Sequence, residues 1–281
     1  MEIFKQIAPL KAFLEGMKRS GKTIGLVPTM GALHKGHISL IEASKSNNSF
    51  TVASLYINPT QFNNPLDHQR YPKTFDKDAE MLEKAGCDLI FCPDDAEMYT
   101  GAPIIQIDFG HLGKVMEGKY RPGHFNGVAL IVSKLFNIIQ PDDAYFGQKD
   151  WQQFTIICQL AEELKFNLRL HSVPIVRESN GLAMSSRNLR LSETQRDHAA
   201  VFFQALTMAR MALKAGQALQ DVKMAVREMV NDKPDINLQY FELANSKNLH
   251  ILKNVDNSVT PIMCIAGYVG EVRLIDNMFL D

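Results

Sequence analysis

The chain has 281 residues, 46% of them hydrophobic, a formal net charge of -1 and four cysteines. That length suits one or two domains with a large core, and the near-neutral balance excludes a global basic field for long nucleic-acid tracts. Cys87, Cys92, Cys158 and Cys264 form no C-x-x-C pair, which removes zinc-ribbon and dithiol redox readings, and no apolar run approaches the ~20 residues of a membrane span.

The first residues, Met1-Glu2-Ile3-Phe4-Lys5-Gln6, carry no apolar leader, and scattered thiols suit a reducing compartment. A cytoplasmic location is therefore expected. Residues 23–27 form a short apolar run that reads as a buried strand, and residues 38–43 read as a helix. Between them lies Val27-Pro28-Thr29-Met30-Gly31-Ala32-Leu33-His34-Lys35-Gly36-His37. Two glycines and two histidines at a strand-to-helix turn point backbone N–H groups and a helix N-terminus at one spot, which suits a phosphate. His34 and His37 are three apart and can project to one side of the first turn. Capping or surface histidines, or a metal pair, remain the other readings of that spacing; H-x-x-H lacks the i,i+4 geometry of a helical zinc site.

Residues 51–56 read as a second strand, closed by Asn58-Pro59-Thr60-Gln61-Phe62-Asn63. Its amides could orient a hydroxylated or carboxylated small molecule, or simply make a turn. A helix is expected over 75–85, stopped at Gly86, and a strand over 88–92, stopped at Pro93. Residues 121–127, starting with Arg121, offer a loop cation or are simply a turn. Residues 128–137 are apolar nearly all round and predict a buried helix. A strand over 143–147 delivers Gly147, and Gln148, Lys149 and Asp150 then open a helix over 151–164. Lysine is a compact cation suited to phosphate oxygens, and Gln153 lies one turn on; by itself the segment reads equally as an ordinary charged helix N-terminus. Residues 167–173 read as another strand. Strands alternating with helices favour a parallel α/β sheet, with ligands at the carboxyl ends of its strands.

The pattern changes near residue 175. Met184-Ser185-Ser186-Arg187 follows a Gly-containing loop after Val176, and serines beside an arginine can cover a polyphosphate. Ser192 and Gln195 form a predicted capping box. A long helix is expected from there to about 215 and a second over 219–230, with Met208, Met211, Met224 and Met229 read as core. Strands follow over 238–243, 262–266 and 272–275. The result is a smaller α+β domain. The expected division is 1–175 and 176–281.

Each motif is modest alone, but their order is specific. The His-x-x-His turn with a later Met-Ser-Ser-Arg loop resembles the nucleotidyltransferase superfamily shared with class I aminoacyl-tRNA synthetases. Residues 28–37, Asn58 to Phe62, Tyr71-Pro72, Arg121 to Phe125, Phe146 to Gln153 and Met184 to Asn188 together resemble the pantoate–β-alanine ligase family. One departure is Gln148, where that family often carries Glu.

The resemblance implies a Rossmann-like parallel sheet with a smaller α+β C-terminal lid domain. It implies an ATP-dependent ligase that makes pantoyl adenylate and then transfers the acyl group to β-alanine, releasing AMP and pyrophosphate. Mg²⁺ would accompany ATP. By position, Met30, Gly31, Ala32, Leu33, His34, Lys35, Gly36 and His37 would contact ATP, with His37 as candidate proton donor. Gly147, Gln148, Lys149 and Asp150 would bind adenosine and phosphates, Val176 adenine, and Met184, Ser185, Ser186 and Arg187 the phosphates. Gln61 and Gln153 would hold pantoate, with Gln61 also near β-alanine. His34, His37, Lys149 and Arg187 would carry the chemistry. A homodimer joined through the first domain is implied as well. The competing readings are a nucleotidyltransferase that stops at a nucleotide product and a regulatory nucleotide-binding module.

Overall fold

The computed structural model describes residues 1–281 and divides into two compact units. The first comprises Met1–Gly113, Glu117–Gly147 and Ile156–Val173; the second comprises Lys114–Met116, Gln148–Thr155 and Pro174–Asp281.

The first unit contains six strands: β1 (Glu2–Phe4), β2 (Ile24–Thr29), β3 (Phe50–Leu55), β4 (Leu89–Phe91), β5 (Asp143–Gly147) and β6 (Arg169–Val173). Their order is β1-β4-β3-β2-β5-β6 and every pairing is parallel. β1 and the helix Ile7–Arg19 precede the first predicted strand. The central strands are buried on both faces, as a covered parallel sheet requires. β2 carries Gly25 because the helix Lys35–Asn47 packs hard against it: a Cβ there would fall 2.1 Å from Ser44 Oγ.

Strand order reverses at β2, with β3 on one side and β5 on the other. Pairing of β2 with β5 stops at Leu26. Pro28, which has no N–H to donate, falls beyond that point. The two strands are therefore free to part at their carboxyl ends, the usual ligand crevice of such sheets.

The second unit holds an antiparallel sheet, β7 (Ile236–Asn245), β8 (Pro261–Val269) and β9 (Val272–Phe279), in that order. Helices Glu193–Ala199, Val201–Lys214 and Leu219–Asn231 bury Phe202, Leu206, Val222 and Val226 in one core with Leu243 and Ile265. The Ser192–Gln195 capping box forms. The expected single helix to about 215 is instead two, divided at Ala200. Ala199, Ala200, Val201 and Phe202 are all buried; a straight helix cannot turn four successive residues to one face. The methionine reading also needs correction. Met208 and Met229 pack against the core, but Met211 and Met224 are 64% and 58% exposed. The buried stripes run through 202, 205, 206, 209 and 213 and through 219, 222, 226 and 230, which leaves Met211 and Met224 on the outer faces.

Candidate active site

In the first unit, β2 ends at Thr29 and the chain turns through Gly31 and Ala32, at φ 81° and 52°. Two successive left-handed residues reverse the chain before the helix, and the first is a glycine because that conformation costs it little. The turn is held from outside by Asp78, which is buried. Its carboxylate accepts from Ala32 N and Leu33 N, both at 2.8 Å, and from Thr74 Oγ1 at 3.0 Å.

His34 caps the helix Lys35–Asn47. Its Nδ1 accepts from Gly36 N at 3.1 Å, while His34 N donates to His37 Nδ1 at 3.3 Å. The ring centroids lie 4.1 Å apart. A neutral imidazole that accepts at Nδ1 carries its proton at Nε2. The reciprocal cap thus sets one tautomer on both rings and makes Nε2 of each a donor at the helix N-terminus. Lys35 beside them is exposed, and Met30 and Gly36 are half-buried.

After β3, the buried Asn58 organises the next motif. Its Nδ2 donates to Gln61 Oε1 and to Gly127 O, both at 3.1 Å. Its Oδ1 accepts from Tyr99 OH at 2.7 Å and Thr60 Oγ1 at 3.0 Å. With all four hydrogen-bonding positions used, Asn58 is structural, and it orients the Gln61 amide so that Nε2 reaches Met30 Sδ at 3.0 Å. His124 Nδ1 meets Gln61 O at 2.8 Å. Gly127 is required here, since a Cβ would sit 2.2 Å from Thr60 O. The sheet therefore brings Met30, His34, His37 and Gln61 into one neighbourhood of the first unit, with Gly147 at the end of β5.

In the second unit, Gln148–Asp150 form a single 3-10 turn before the helix Trp151–Glu163. The Lys149 side chain is only 17% exposed, and its Nζ is 3.7 Å from the Asp150 carboxylate. That distance is beyond a direct hydrogen bond. The two neighbouring glutamines differ: buried Gln152 donates to Val115 O at 2.9 Å, whereas Gln153 is half-buried. Met184 N donates to Val176 O at 3.0 Å, and Arg177 bridges Ala183, so residues 176–184 form a hairpin. The hairpin delivers Ser185, whose Oγ accepts from Arg187 N, into a 3-10 turn containing Ser186 and Arg187. Arg177 holds the buried Asp276 through two bonds of 2.6 and 3.0 Å. Burial pushes the Asp276 carboxyl up, and the guanidinium opposes it.

No group of three or more His, Cys, Asp or Glu side chains is arranged to hold a metal ion. Magnesium commonly binds through one or two carboxylates plus substrate phosphates, and the half-exposed Asp150 beside Lys149 is a carboxylate of that kind.

Three residues of this framework escape sequence reading: Asp78, Asp276 and Asn277. Each leaves a faint trace. Asp78 lies one turn before buried Leu82 on the inward stripe of its helix, and Asp276-Asn277 sits between the apolar pairs Leu274-Ile275 and Met278-Phe279. A charge on a buried face calls for a partner.

The family model described as pantoate-beta-alanine ligase matches residues 2–279. A pantothenate synthetase of Cytophaga hutchinsonii is 44% identical over 275 residues, 98% of this chain and 97% of that protein. A crystal structure of pantothenate synthetase from Thermus thermophilus superposes with a TM-score of 0.93 at 37% identity, covering 100% of this chain and 99% of the other. A pantoate-beta-alanine ligase from Francisella tularensis, complexed with beta-gamma ATP and beta-alanine, matches with a TM-score of 0.84 at 33% identity, covering 100% and 98%.

Proposed function

The chain belongs to the pantoate–β-alanine ligase family, and from that premise we propose how its residues join pantoate to β-alanine at the expense of ATP. In the first step a pantoate carboxylate oxygen attacks the α-phosphate, forming pantoyl adenylate and releasing pyrophosphate. In the second, the β-alanine amine attacks the acyl carbon, and AMP leaves.

The carboxylate must approach a polyanion, so cations must offset the repulsion. Lys149 and Arg187 supply them, and Asp150 would help hold a Mg²⁺ accompanying the triphosphate. Bound Mg²⁺ would neutralise phosphate charge. Negative charge grows on the departing pyrophosphate, and Nε2–H of His34 and His37 with the helix N-terminus would meet it; donors fixed before reaction contribute strongly to such steps. The observation that carries this assignment is the reciprocal His34–His37 cap, which already holds both rings in the donor tautomer. Met30, Gly31, Ala32, Leu33, Lys35 and Gly36 complete the first-unit ATP contacts. Gly147, Gln148, Val176, Met184, Ser185 and Ser186 supply further ones. Gln61 and Gln153 hold pantoate, and Gln61 also serves β-alanine. ATP and pantoate binding is assigned chiefly to residues 1–175, with residues 176–281 adding Val176 and the Met184–Arg187 loop.

Incubation with ATP, Mg²⁺, pantoate and β-alanine should yield AMP and pyrophosphate in turnover only when both organic substrates are present. AMP formation indifferent to β-alanine would instead favour a nucleotidyltransferase that stops at a nucleotide product.

Two assignments extend this reading. A homodimer through the first unit is supported by Ile104 and Ile105, 94% and 62% exposed, because bare apolar neighbours favour a covering partner. A monomer by sedimentation would dismiss it. A cytoplasmic location is supported by four free thiols; no helix is long and apolar enough to cross a membrane.

A further inference from the structure

Asp276 and Asn277 are adjacent on β9, so their side chains leave opposite faces of the strand. Both are nearly fully buried, at 4% and 3% exposure. Each reaches a different ATP motif far away in the chain. Asn277 Nδ2 donates to Gln148 O and to Lys149 O, both at 2.9 Å, which uses both protons of its carboxamide. Its Oδ1 accepts from Gln148 Nε2 at 3.3 Å. The 3-10 turn bearing Lys149 is thus gripped by one side chain. Asp276 takes the Arg177 guanidinium, which also donates to Gly181 O at 3.0 Å and lies 4.1 Å from the Phe203 ring centre. Arg177 in turn opens the hairpin that ends at Met184. Asp276 Oδ1 further accepts from Asn277 N at 2.8 Å, tying the two grips together.

We infer that Asp276 and Asn277 are positioning residues for adenylate formation, with β9 as a common mount that fixes the Lys149 turn and the Met184–Arg187 loop relative to each other. Neither side chain touches substrate in this account. Asn277 acts by holding backbone carbonyls whose displacement would move the Lys149 ammonium, and Asp276 by holding the Arg177 guanidinium at the start of the hairpin. The inference rests on the assignment of Lys149 and Arg187 to ATP. Catalytic groups displaced by about an ångström can lose on the order of 10²-fold in rate, so the grip is a kinetic device as much as a structural one.

The test uses the full chain and compares the two half-reactions: pantoate-dependent ATP–pyrophosphate exchange, and β-alanine aminolysis of supplied pantoyl adenylate. Asn277→Ala should slow exchange by roughly ten- to a hundredfold and leave aminolysis near wild type. Asn277→Asp should do no better, because a carboxylate cannot donate to the two carbonyls. Asn277→Ser, with one donor left, should recover part of the rate and serves if the alanine variant does not fold. The deciding measurement is the double variant with Lys149→Ala. If Asn277 acts through Lys149, the double should be no slower than Lys149→Ala alone. Multiplying effects, equal slowing of both half-reactions, or wild-type exchange in Asn277→Ala would each overturn the inference. Wild-type exchange in Lys149→Ala itself would overturn the site assignment beneath it.

Discussion

The His34–His37 turn and the Lys149 turn are held in opposite ways. The first is built mostly from itself: two left-handed residues reverse the chain, and two histidines cap one helix across a span of three residues. Asp78 supports it from a distance, 45 and 46 residues away. The Lys149 turn is built mostly from elsewhere. Its carbonyls are held by Asn277, 128 and 129 residues downstream. A self-capped turn can form as soon as its helix forms, whereas a remotely mounted one needs a finished sheet. The first region carries two histidines and the second a long, charged side chain, and the second depends far more on outside help to stay in place.

The largest expected effects test whether the two regions share one step. Lys149→Ala and His37→Ala should each slow single-turnover adenylate formation by roughly 10²–10³, the scale for one preorganised donor. They should differ in stability: His37→Ala also removes half of a helix cap, about 1 kcal/mol, while Lys149→Ala removes no tight partner. An unchanged rate removes that residue from the mechanism.

Next is Asp78→Ala, aimed at a distant support of the local turn. It strands the Ala32 and Leu33 N–H groups in a buried site, at about 1–3 kcal/mol for each orphaned donor. A urea midpoint equal to wild type would show that the turn holds without it.

Gly127→Ala probes the packing behind Gln61. The new methyl would fall 2.2 Å from Thr60 O, so the turn must move, at about 1–3 kcal/mol for such overpacking. The KM for pantoate should rise several-fold while that for ATP holds. A parallel rise in both would move Gln61 away from the pantoate role.

The smallest effect lies at the far end of the same sheet, where β5 begins. Asp143 is buried there; burial pushes its carboxyl up, but Arg169 and His171, at 2.7 and 2.6 Å, hold it below the usual carboxylate range. A depressed folded pKa contributes stability above the unfolded value, and that contribution is lost as pH falls through the folded one. Asp143→Asn should therefore be less stable at neutral pH and lose less Tm than wild type as pH falls below about 4, the unfolded carboxylate value. Identical acid limbs would dissociate Asp143 from acid unfolding.

What the sequence discloses follows the same local-versus-remote line. The strand over 143–147 and the Ser192–Gln195 cap are read correctly because apolar runs and caps depend on neighbours in the chain. The parallel sheet follows from their alternation. His34 and His37 are visible as a pair, though their mutual cap, and hence their tautomer, needs coordinates. Asp276 and Asn277 pass unnoticed because their partners lie 99 to 129 residues away, and nothing local marks one polar pair in a strand as a mount. The exposed Met211 and Met224 fail for a related reason: spacing gives a face, but only packing says which face is inward.

The discontinuity of the second unit has a consequence for synthesis. Its pieces at 114–116 and 148–155 are made long before β9. A nascent chain can pair β2 with β5 and close the His34–His37 turn while its Lys149 turn still lacks Asn277. Domains tend to fold as units while the chain is still being made, so the early half can sequester its core before Asn277 exists to hold the Lys149 turn. Interrupted translation products would then be folded in part, with that turn left unsupported.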